Sequence, residues 1–284
     1  MPRSRFVLVS GASTGIGRGA ALTLARRGWT VFAGVRRDED GASLEAEQAG
    51  DVRPVRLDVT SEDDIASTVA QVAEAVGPNG LDALVNNAGV ATGGPLEDLG
   101  VDELRWMFDV NVFGLHALTQ AALPLVREAR GRIVHVSSIA GMMYHPMTGA
   151  YAASKHAVQA LAGTLRAELA PQGIHVATIN PGQIDTPIWA KGQQMADARE
   201  ASMTDAIKAR YRPFLDATRA QIAEGATKGA PVSIVSDAVV HALESARPRT
   251  TYLVGTDARL GAWLRWLLPD RWYESVMNRI RWKA

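Results

Sequence analysis

Short β-branched runs alternate along this chain with longer helical patterns, and this alternation restricts the fold more than any other feature. The runs are apolar throughout, as expected for strands that are covered on both faces of a sheet. Right-handed crossovers favour a parallel sheet of order 3-2-1-4-5-6, with a seventh strand beyond it. The predicted strands are Phe6–Val9, Thr30–Val35, Val52–Val59, Leu81–Val85, Arg132–Val136, Ile174–Ile179 and Thr251–Val254. The predicted helices are Ile16–Arg27, Ile65–Val76, Leu104–Ala129 and Ala152–Leu169. The sequence thus predicts an α/β fold with a doubly wound, seven-stranded parallel sheet.

Two segments depart from this alternation. The stretch 188–233 is polar and helical in composition, and it precedes the last predicted strand. The stretch 259–284 is rich in arginine and contains Trp263, Trp266, Trp272 and Trp282. The length of 284 residues and the absence of a low-complexity linker predict a single domain over 1–284. That domain has a helical insertion at 188–233 and an aromatic, basic C-terminal extension at 259–284.

Composition excludes several classes of function. Lysine plus arginine, 30 residues, equals aspartate plus glutamate, 30 residues, so no basic surplus is available to hold a nucleic acid. Cysteine is absent, and the 6 histidines show no metal-binding spacing, so we expect no metal site. The N-terminal apolar run is too short for a secretory signal, and no run approaches the roughly 20 residues that span a bilayer. We therefore expect a cytoplasmic globular protein.

The turn between the first predicted strand and the first helix is glycine-rich. Its sequence is Ser10-Gly11-Ala12-Ser13-Thr14-Gly15-Ile16-Gly17. Gly11 permits a tight turn, Gly15 permits close approach to a pyrophosphate, and Gly17 permits close packing of helix and strand. The helix N terminus supplies free N–H groups for the anion. This strand–turn–helix setting predicts a Rossmann-like dinucleotide site, with Ser13, Thr14 and Ile16 beside the glycines.

The glycine spacing is G-x-x-x-G-x-G rather than the common G-x-G-x-x-G. In this respect the chain resembles the short-chain dehydrogenase/reductase family, and the resemblance extends from about Phe6 to Gly255. The end of the chain resembles, more loosely, the hydroxysteroid and retinol dehydrogenase-like branch of that family. The resemblance implies an oxidoreductase, a carbonyl reductase or alcohol dehydrogenase, that moves a hydride between a nicotinamide and a carbonyl or secondary alcohol.

The residues that follow the second predicted strand bear on the choice of dinucleotide. An acidic side chain there bonds the ribose 2′-hydroxyl, whereas an arginine accommodates a 2′-phosphate. Val35 stands where NAD-preferring family members carry aspartate, and Arg36 and Arg37 follow it. Because a guanidinium fork matches a phosphate well, we expect NADP(H) to be preferred. The neighbouring acids Asp38 and Glu39 leave NAD(H) open.

Tyr151 and Lys155 are four residues apart, which places both on one face of a predicted helix. A tyrosine is a poor base at neutral pH because its ordinary pKa is about 10. A nearby ammonium, together with the positive nicotinamide, is expected to lower the pKa of Tyr151. The phenol can then take a proton from an alcohol or return it to a carbonyl oxygen.

The family resemblance implies further site residues. Ser138, thirteen residues before Tyr151, corresponds to the serine that orients the substrate oxygen, and Asn111 to a helix asparagine beside a backbone distortion. Together with Tyr151 and Lys155 they form the implied catalytic set. The implied cofactor contacts after the strands are Asp58, Val59, Asn87, Ala88, Gly89, Pro181, Gly182, Ile184 and Thr186.

The substrate pocket is predicted from the loop between Ser138 and Tyr151 and from the insertion. His145 and Trp189 are the expected pocket residues besides Ser138 and Tyr151, and Met142, Met143 and Met147 would make the pocket apolar. We expect a fairly large hydrophobic carbonyl or alcohol, such as a steroid, a retinoid or a lipid-derived carbonyl.

Two alternatives to an enzyme remain open. One is a non-catalytic dinucleotide-sensing regulator, which would need the glycine loop but not Tyr151 and Lys155. The other is a membrane-docked scaffold that uses the tryptophan-rich extension on anionic lipid. That extension is equally typical of a helix packed over the pocket or of a subunit interface. The resemblance implies a homodimer or homotetramer.

Overall fold

The computed structural model describes residues 4–281, except for the side chains of residues 226 and 276–281. All seven predicted strands lie in one sheet, and every neighbouring pair is parallel. The strands are β1 Arg5–Val9, β2 Trp29–Val35, β3 Val52–Arg56, β4 Ala83–Asn86, β5 Arg132–Val136, β6 His175–Pro181 and β7 Thr251–Val254. Their order, β3-β2-β1-β4-β5-β6-β7, confirms the predicted doubly wound topology.

Helices cover both faces of the sheet. They are α1 Gly15–Arg26, α2 Asp38–Glu45, α3 Glu62–Val76, α4 Val101–Phe108, α5 Leu115–Ala129, α6 Gly149–Leu169, α7 Ile188–Ser202, α8 Asp205–Lys228, α9 Ser233–Glu244, α10 Thr256–Leu267 and α11 Asp270–Arg281. Successive strand residues point to opposite faces, so Val7 and Val9 pack in a core with α1 and α9. Leu8 packs on the other face with α3, α5 and α6. The two cores hold the strand ends, and hence the site, in fixed positions.

Three local predictions differ from the structure. The third strand ends at Arg56 instead of Val59, because the chain turns there toward α3, whose N-cap Ser61 accepts a hydrogen bond from the Asp64 N–H. Neither the short, acidic α2 nor α9 was predicted. The helix predicted over 104–129 is divided into α4 and α5 by a π-helical segment, Asp109–Gly114.

The insertion and the extension are both helical. α7 and α8 occupy most of 188–233, and none of the side chains of α7 is buried. α10 packs inward through Ala258, Gly261 and Ala262. The side chains of Trp263, Trp266 and Trp272 are exposed. Trp282 lies outside the described residues. Among the residues that the structure describes, no helix is long and apolar enough to cross a membrane.

Candidate active site

A cavity of about 420 Å³ opens at the carboxyl ends of the strands. Most of the predicted cofactor residues line it. They are Gly11, Ser13, Thr14, Gly15, Ile16, Arg36, Asp58, Val59, Asn87, Ala88, Gly89, Tyr151, Lys155 and Thr186. This is the position at which doubly wound sheets bind dinucleotides.

The glycine loop packs closely against the residues that follow β4. Gly11 has φ +64°, and a Cβ there would lie 2.8 Å from Ala88 Cα. Asn87 Nδ2 donates to the carbonyl oxygens of Ser10 and Gly11 at 3.1 and 3.0 Å, which holds the loop against the end of β4. The N-cap residue of α1, Thr14, makes no side-chain capping hydrogen bond. The first N–H groups of α1 therefore face the cavity without a side-chain acceptor, an arrangement that fits a pyrophosphate.

Five predicted cofactor residues lie away from this cavity lining. Gly17 supports the loop instead, since a Cβ there would overlap the Gly11 oxygen and the Asn87 amide. Pro181, Gly182 and Ile184 line a neighbouring cavity. The fifth residue is Arg37, whose guanidinium group is hydrogen-bonded to Asp40.

Arg36 and Arg37 have different surroundings although they are adjacent in sequence. Arg36 lines the first cavity. Arg37 turns away and donates two hydrogen bonds to the Asp40 carboxylate, at 3.0 and 2.8 Å, while its side chain stays largely exposed. Asp40 already engages Arg37, so Arg36 is the one of the two that lines the cavity, and its contact with a 2′-phosphate stays a prediction.

A second cavity, of about 320 Å³, adjoins the first. Tyr151 lines both cavities, and the predicted pocket residues Ser138, His145 and Trp189 line the second one. Met147 also lines it. Most of its lining is apolar, so it suits a hydrophobic molecule beside the Tyr151 phenol.

Two methionines predicted for the pocket lie outside the lining of either cavity. Met143 is buried in a separate cluster with Tyr273 from the C-terminal extension. Met142 lies nearby, at the end of the turn that follows Ser138. Because Met143 packs with Tyr273 of the extension, it does not line the substrate pocket.

The fold brings the four predicted catalytic residues together. Ser138 and Tyr151 are joined by a hydrogen bond. Lys155 is buried, its Nζ lies 5.8 Å from the centroid of the Tyr151 ring, and it donates to the Val136 carbonyl at 3.2 Å. One turn of α6 separates the phenol from the ammonium, as the spacing predicts.

Asn111 lies in the π-helical segment between α4 and α5 and is fully buried. Its Oδ1 accepts from the Val90 N–H at 2.8 Å, and its Nδ2 donates to the Val90 carbonyl and to Ser154 Oγ at 2.9 and 3.0 Å. A Cβ at Gly89 would lie 3.2 Å from Asn111 Oδ1 and 3.5 Å from Lys155 Nζ. The asparagine therefore ties the loop after β4 to α6 beside the lysine.

Burial dominates the electrostatics of the tyrosine in the protein alone. Burial raises the pKa of Tyr151 above its ordinary value, and the hydrogen bond with Ser138 only partly offsets this effect. Burial also lowers the pKa of Lys155 to about 8. The predicted lowering of the phenol pKa depends on the positive nicotinamide as well as on the ammonium, so it stays a prediction for the cofactor-bound protein.

Sequence reasoning missed the part that α7 plays in both cavities. Lys191, Gly192 and Met195 line the first cavity, and Arg199 and Glu200 line the second. The spacing of Ile188, Lys191 and Met195 was a readable signal, because residues three, four and seven apart share one helix face.

Comparisons with known proteins point to one family. The family model for short chain dehydrogenase matches residues 5–197. The NADPH-dependent 3-dehydrocapnine reductase of Ornithobacterium rhinotracheale is 33% identical over 280 residues, which cover 97% of this chain and 96% of the relative. The human 17-beta-hydroxysteroid dehydrogenase type 6 is 34% identical over 262 residues, or 90% of this chain and 82% of the relative.

A solved structure extends the similarity to three dimensions. A short chain dehydrogenase from Burkholderia cenocepacia, in complex with NADP, superposes with a TM-score of 0.73 at 26% identity and covers 98% of each chain. The chain described here belongs to the short-chain dehydrogenase/reductase family and is an oxidoreductase of that family.

Proposed function

We propose that this protein transfers a hydride between NADP(H) and the carbonyl or secondary alcohol of a hydrophobic substrate. The observation that carries the proposal is the position of Tyr151, which lines both the cavity beside the glycine loop and the apolar cavity. A phenol at that boundary can exchange a proton with a substrate oxygen while the cofactor lies on its other side.

The chain contributes positioning and proton transfer. The nicotinamide ring, when bound, supplies or accepts the hydride. The Ser138 hydroxyl, already bonded to Tyr151, holds the substrate oxygen beside the phenol. Tyr151 then donates its proton in reduction or accepts one in oxidation. The Lys155 ammonium stabilises the phenolate as it forms, and Asn111 holds the adjoining loop in place.

The preference for NADP(H) is supported by Arg36, which lines the first cavity just after β2, where Val35 replaces an acidic side chain. It is also supported by the relatives. One is named as NADPH-dependent, and the Burkholderia cenocepacia structure was solved with NADP. NAD(H) is the alternative cofactor. A regulator that only senses the dinucleotide is disfavoured, because binding of the dinucleotide alone would not require Ser138, Tyr151 and Lys155 to lie beside one another.

The test is a fluorescence titration of NADPH and NADH on the wild type and two arginine variants. We expect wild type to bind NADPH at least about tenfold more tightly, a difference of about 1.4 kcal/mol. Arg36→Ala should abolish that difference by removing the phosphate partner. Arg37→Ala is the matched control and should preserve it, since Arg37 is engaged with Asp40.

Each other result has a definite meaning. Equal binding of the two dinucleotides to wild type would reject NADP(H) in favour of NAD(H). Loss of the preference in Arg37→Ala but not in Arg36→Ala would reject the assignment of Arg36. No binding of either dinucleotide would reject the oxidoreductase mechanism itself.

The substrate class is proposed from the second cavity and the relatives. Its volume of about 320 Å³ and its apolar lining suit a steroid-, retinoid- or lipid-like carbonyl. A similar protein is named as a hydroxysteroid dehydrogenase. Turnover of small polar sugars alone, in a panel that includes such hydrophobic carbonyls, would contradict this part of the proposal.

A further inference from the structure

Helix α7 forms a wall that the two cavities share. Ile188, Lys191, Gly192 and Met195 all line the first cavity, and their spacing places them on one face of the helix. Ile188, Gly192 and Met195 line the second cavity as well. A small shift of α7 therefore changes the shape of the cofactor site and of the substrate site together.

The charges around the first cavity suit a polyanion. The ionisable acids and bases in its lining, apart from the Tyr151 phenol, are Arg36, Asp58, Lys155 and Lys191. Lys155 lies beside the phenol. Asp58 already accepts two hydrogen bonds from Thr60, at 2.9 and 2.7 Å. Arg36 and Lys191 are therefore the cations that this lining offers to an anion away from the catalytic end.

Arg36 and Lys191 act on a common neighbour, Asp40, at the start of α2. The hydrogen bond from Arg37 is the main cause that lowers the pKa of Asp40, and the charges of Arg37, Lys191 and Arg36 act in the same direction. Arg36 and Lys191 also line the same cavity, so a cation of α7 and a cation of the turn after β2 border one space.

The two halves of α7 are held differently. Near its C-terminal end, Arg199 is anchored to the Glu103 carboxylate at 2.5 Å and to the Asp98 carbonyl at 2.8 Å. The first turns, which carry Lys191, have no buried side chain. Their start lies against the glycine loop, where a Cβ at Gly15 would be 3.3 Å from Thr186. A helix with little buried apolar surface is readily ordered by an added contact.

We propose that Arg36 and Lys191 hold the 2′-phosphate of NADP(H) between them, so that the phosphorylated cofactor orders the first turns of α7 over both cavities. This inference rests on the proposed function and extends it. The 2′-phosphate would then do more than select the cofactor, because it would also shape the substrate cavity through Ile188, Gly192 and Met195. NADH lacks this phosphate and would not add this contact to the first turns of α7.

The test is hydrogen–deuterium exchange of the peptide 188–203 in the full chain, without cofactor and with saturating NADPH or NADH. In wild type we expect NADPH to slow exchange in this peptide clearly more than NADH. Lys191→Gln should reduce the NADPH effect to the NADH level and weaken NADPH binding about tenfold, with NADH affinity unchanged. Lys191→Arg, which keeps the charge, should retain the protection.

Lys228→Gln is the matched control, because Lys228 is an exposed lysine on α8 that pairs with Glu224. It should behave as wild type. The inference is overturned if Lys191→Gln keeps both the NADPH-specific protection and the NADPH affinity. If Arg36→Ala nevertheless removes the preference for NADPH, the proposed function stands and only the role of Lys191 falls. If wild type binds neither dinucleotide, it is the proposed function that fails.

Discussion

At the scale of single residues, the Tyr151 phenol is the group whose surroundings most restrict its chemistry. Burial raises its pKa, and the hydrogen bond with Ser138 offsets only part of that effect. Burial lowers the pKa of Lys155 to about 8, so the lysine carries its full charge only well below that pH. The protein alone thus keeps the phenol protonated at neutral pH, which is the form that donates a proton in carbonyl reduction.

The substitution Tyr151→Phe should separate proton transfer from binding. We expect kcat to fall by about 10²- to 10⁴-fold, because the general acid is lost while both cavities keep their shape. The NADPH dissociation constant should change by no more than about twofold. Steady-state kinetics with a hydrophobic carbonyl and a fluorescence titration measure the two quantities.

Tyr144→Phe is the matched control for that substitution. Tyr144 is exposed and contacts the ring of Tyr273 edge-on, so loss of its hydroxyl should leave kcat unchanged. Retention of wild-type kcat by Tyr151→Phe would show that another group supplies the proton.

At the scale of elements, the insertion is joined to the body of the fold by ion pairs. Arg199 on α7 bonds Glu103 on α4 and the Asp98 carbonyl, and its side chain is only 17% exposed. Arg210 on α8 bonds Glu97 at 2.6 Å, but its side chain is 61% exposed. Hydrogen bonds to partly buried charges stabilise more than exposed ion pairs do. We therefore expect Arg199 to contribute more than Arg210 to holding the insertion on the body of the fold.

We expect Arg199→Met to lower the free energy of unfolding by about 2 kcal/mol, since it leaves the Glu103 carboxylate without this partner. The insertion should also open locally and be cut faster in limited proteolysis with chymotrypsin. Arg210→Met, the control at the exposed pair, should cost less than about 1 kcal/mol. Equal effects of the two substitutions in urea denaturation would contradict the distinction drawn from their burial.

At the scale of the whole molecule, one carboxylate connects the N-terminal part of the chain with α9. Glu244, at the end of α9, accepts hydrogen bonds from Arg5 and Trp29 on one oxygen and from Arg27 on the other. The hydrogen bond from Arg27 is the main cause that lowers the pKa of Glu244 to about 2. Because the folded pKa lies below the unfolded value, this cluster stabilises the fold above about pH 4.5 and loses that contribution as pH falls toward 2.

The substitution Glu244→Gln tests this connection. We expect it to cost about 2 kcal/mol at pH 7, after allowance for solvent screening of the half-exposed Arg27. The deficit should shrink as pH falls from about 4.5 toward 2, where the wild-type carboxylate becomes protonated. Urea denaturation at several pH values measures it.

Glu224→Gln, at the exposed pair with Lys228, provides the control and should change stability by less than about 0.5 kcal/mol. A Glu244→Gln deficit that stays constant across this pH range would exclude the carboxylate charge as its source.

The features that could be predicted from the sequence are those encoded in short stretches. The strand order follows from apolar runs and right-handed crossovers, and the sheet confirms it. The glycine spacing, the Tyr151–Lys155 interval and Ser138 at a strand end each depend on local geometry, and the fold brings Ser138, Tyr151 and Lys155 together. The period of the apolar residues and the spacing of the site residues were sufficient for these predictions, because helix and strand geometry determines which nearby residues share a face.

Features that depend on long-range packing could be decided only by the tertiary structure. Neighbouring Arg36 and Arg37 look equivalent in sequence. In the structure Arg37 is hydrogen-bonded to Asp40, whereas Arg36 lines the first cavity. The spacing of Ile188, Lys191 and Met195 indicates a shared helix face, but only the fold shows that this face of α7 borders both cavities. The sequence does not indicate how deeply Tyr151 is buried, and burial raises the pKa of its phenol in the protein alone. Desolvation and partner choice depend on which distant segments surround a side chain, and that is a property of the folded chain.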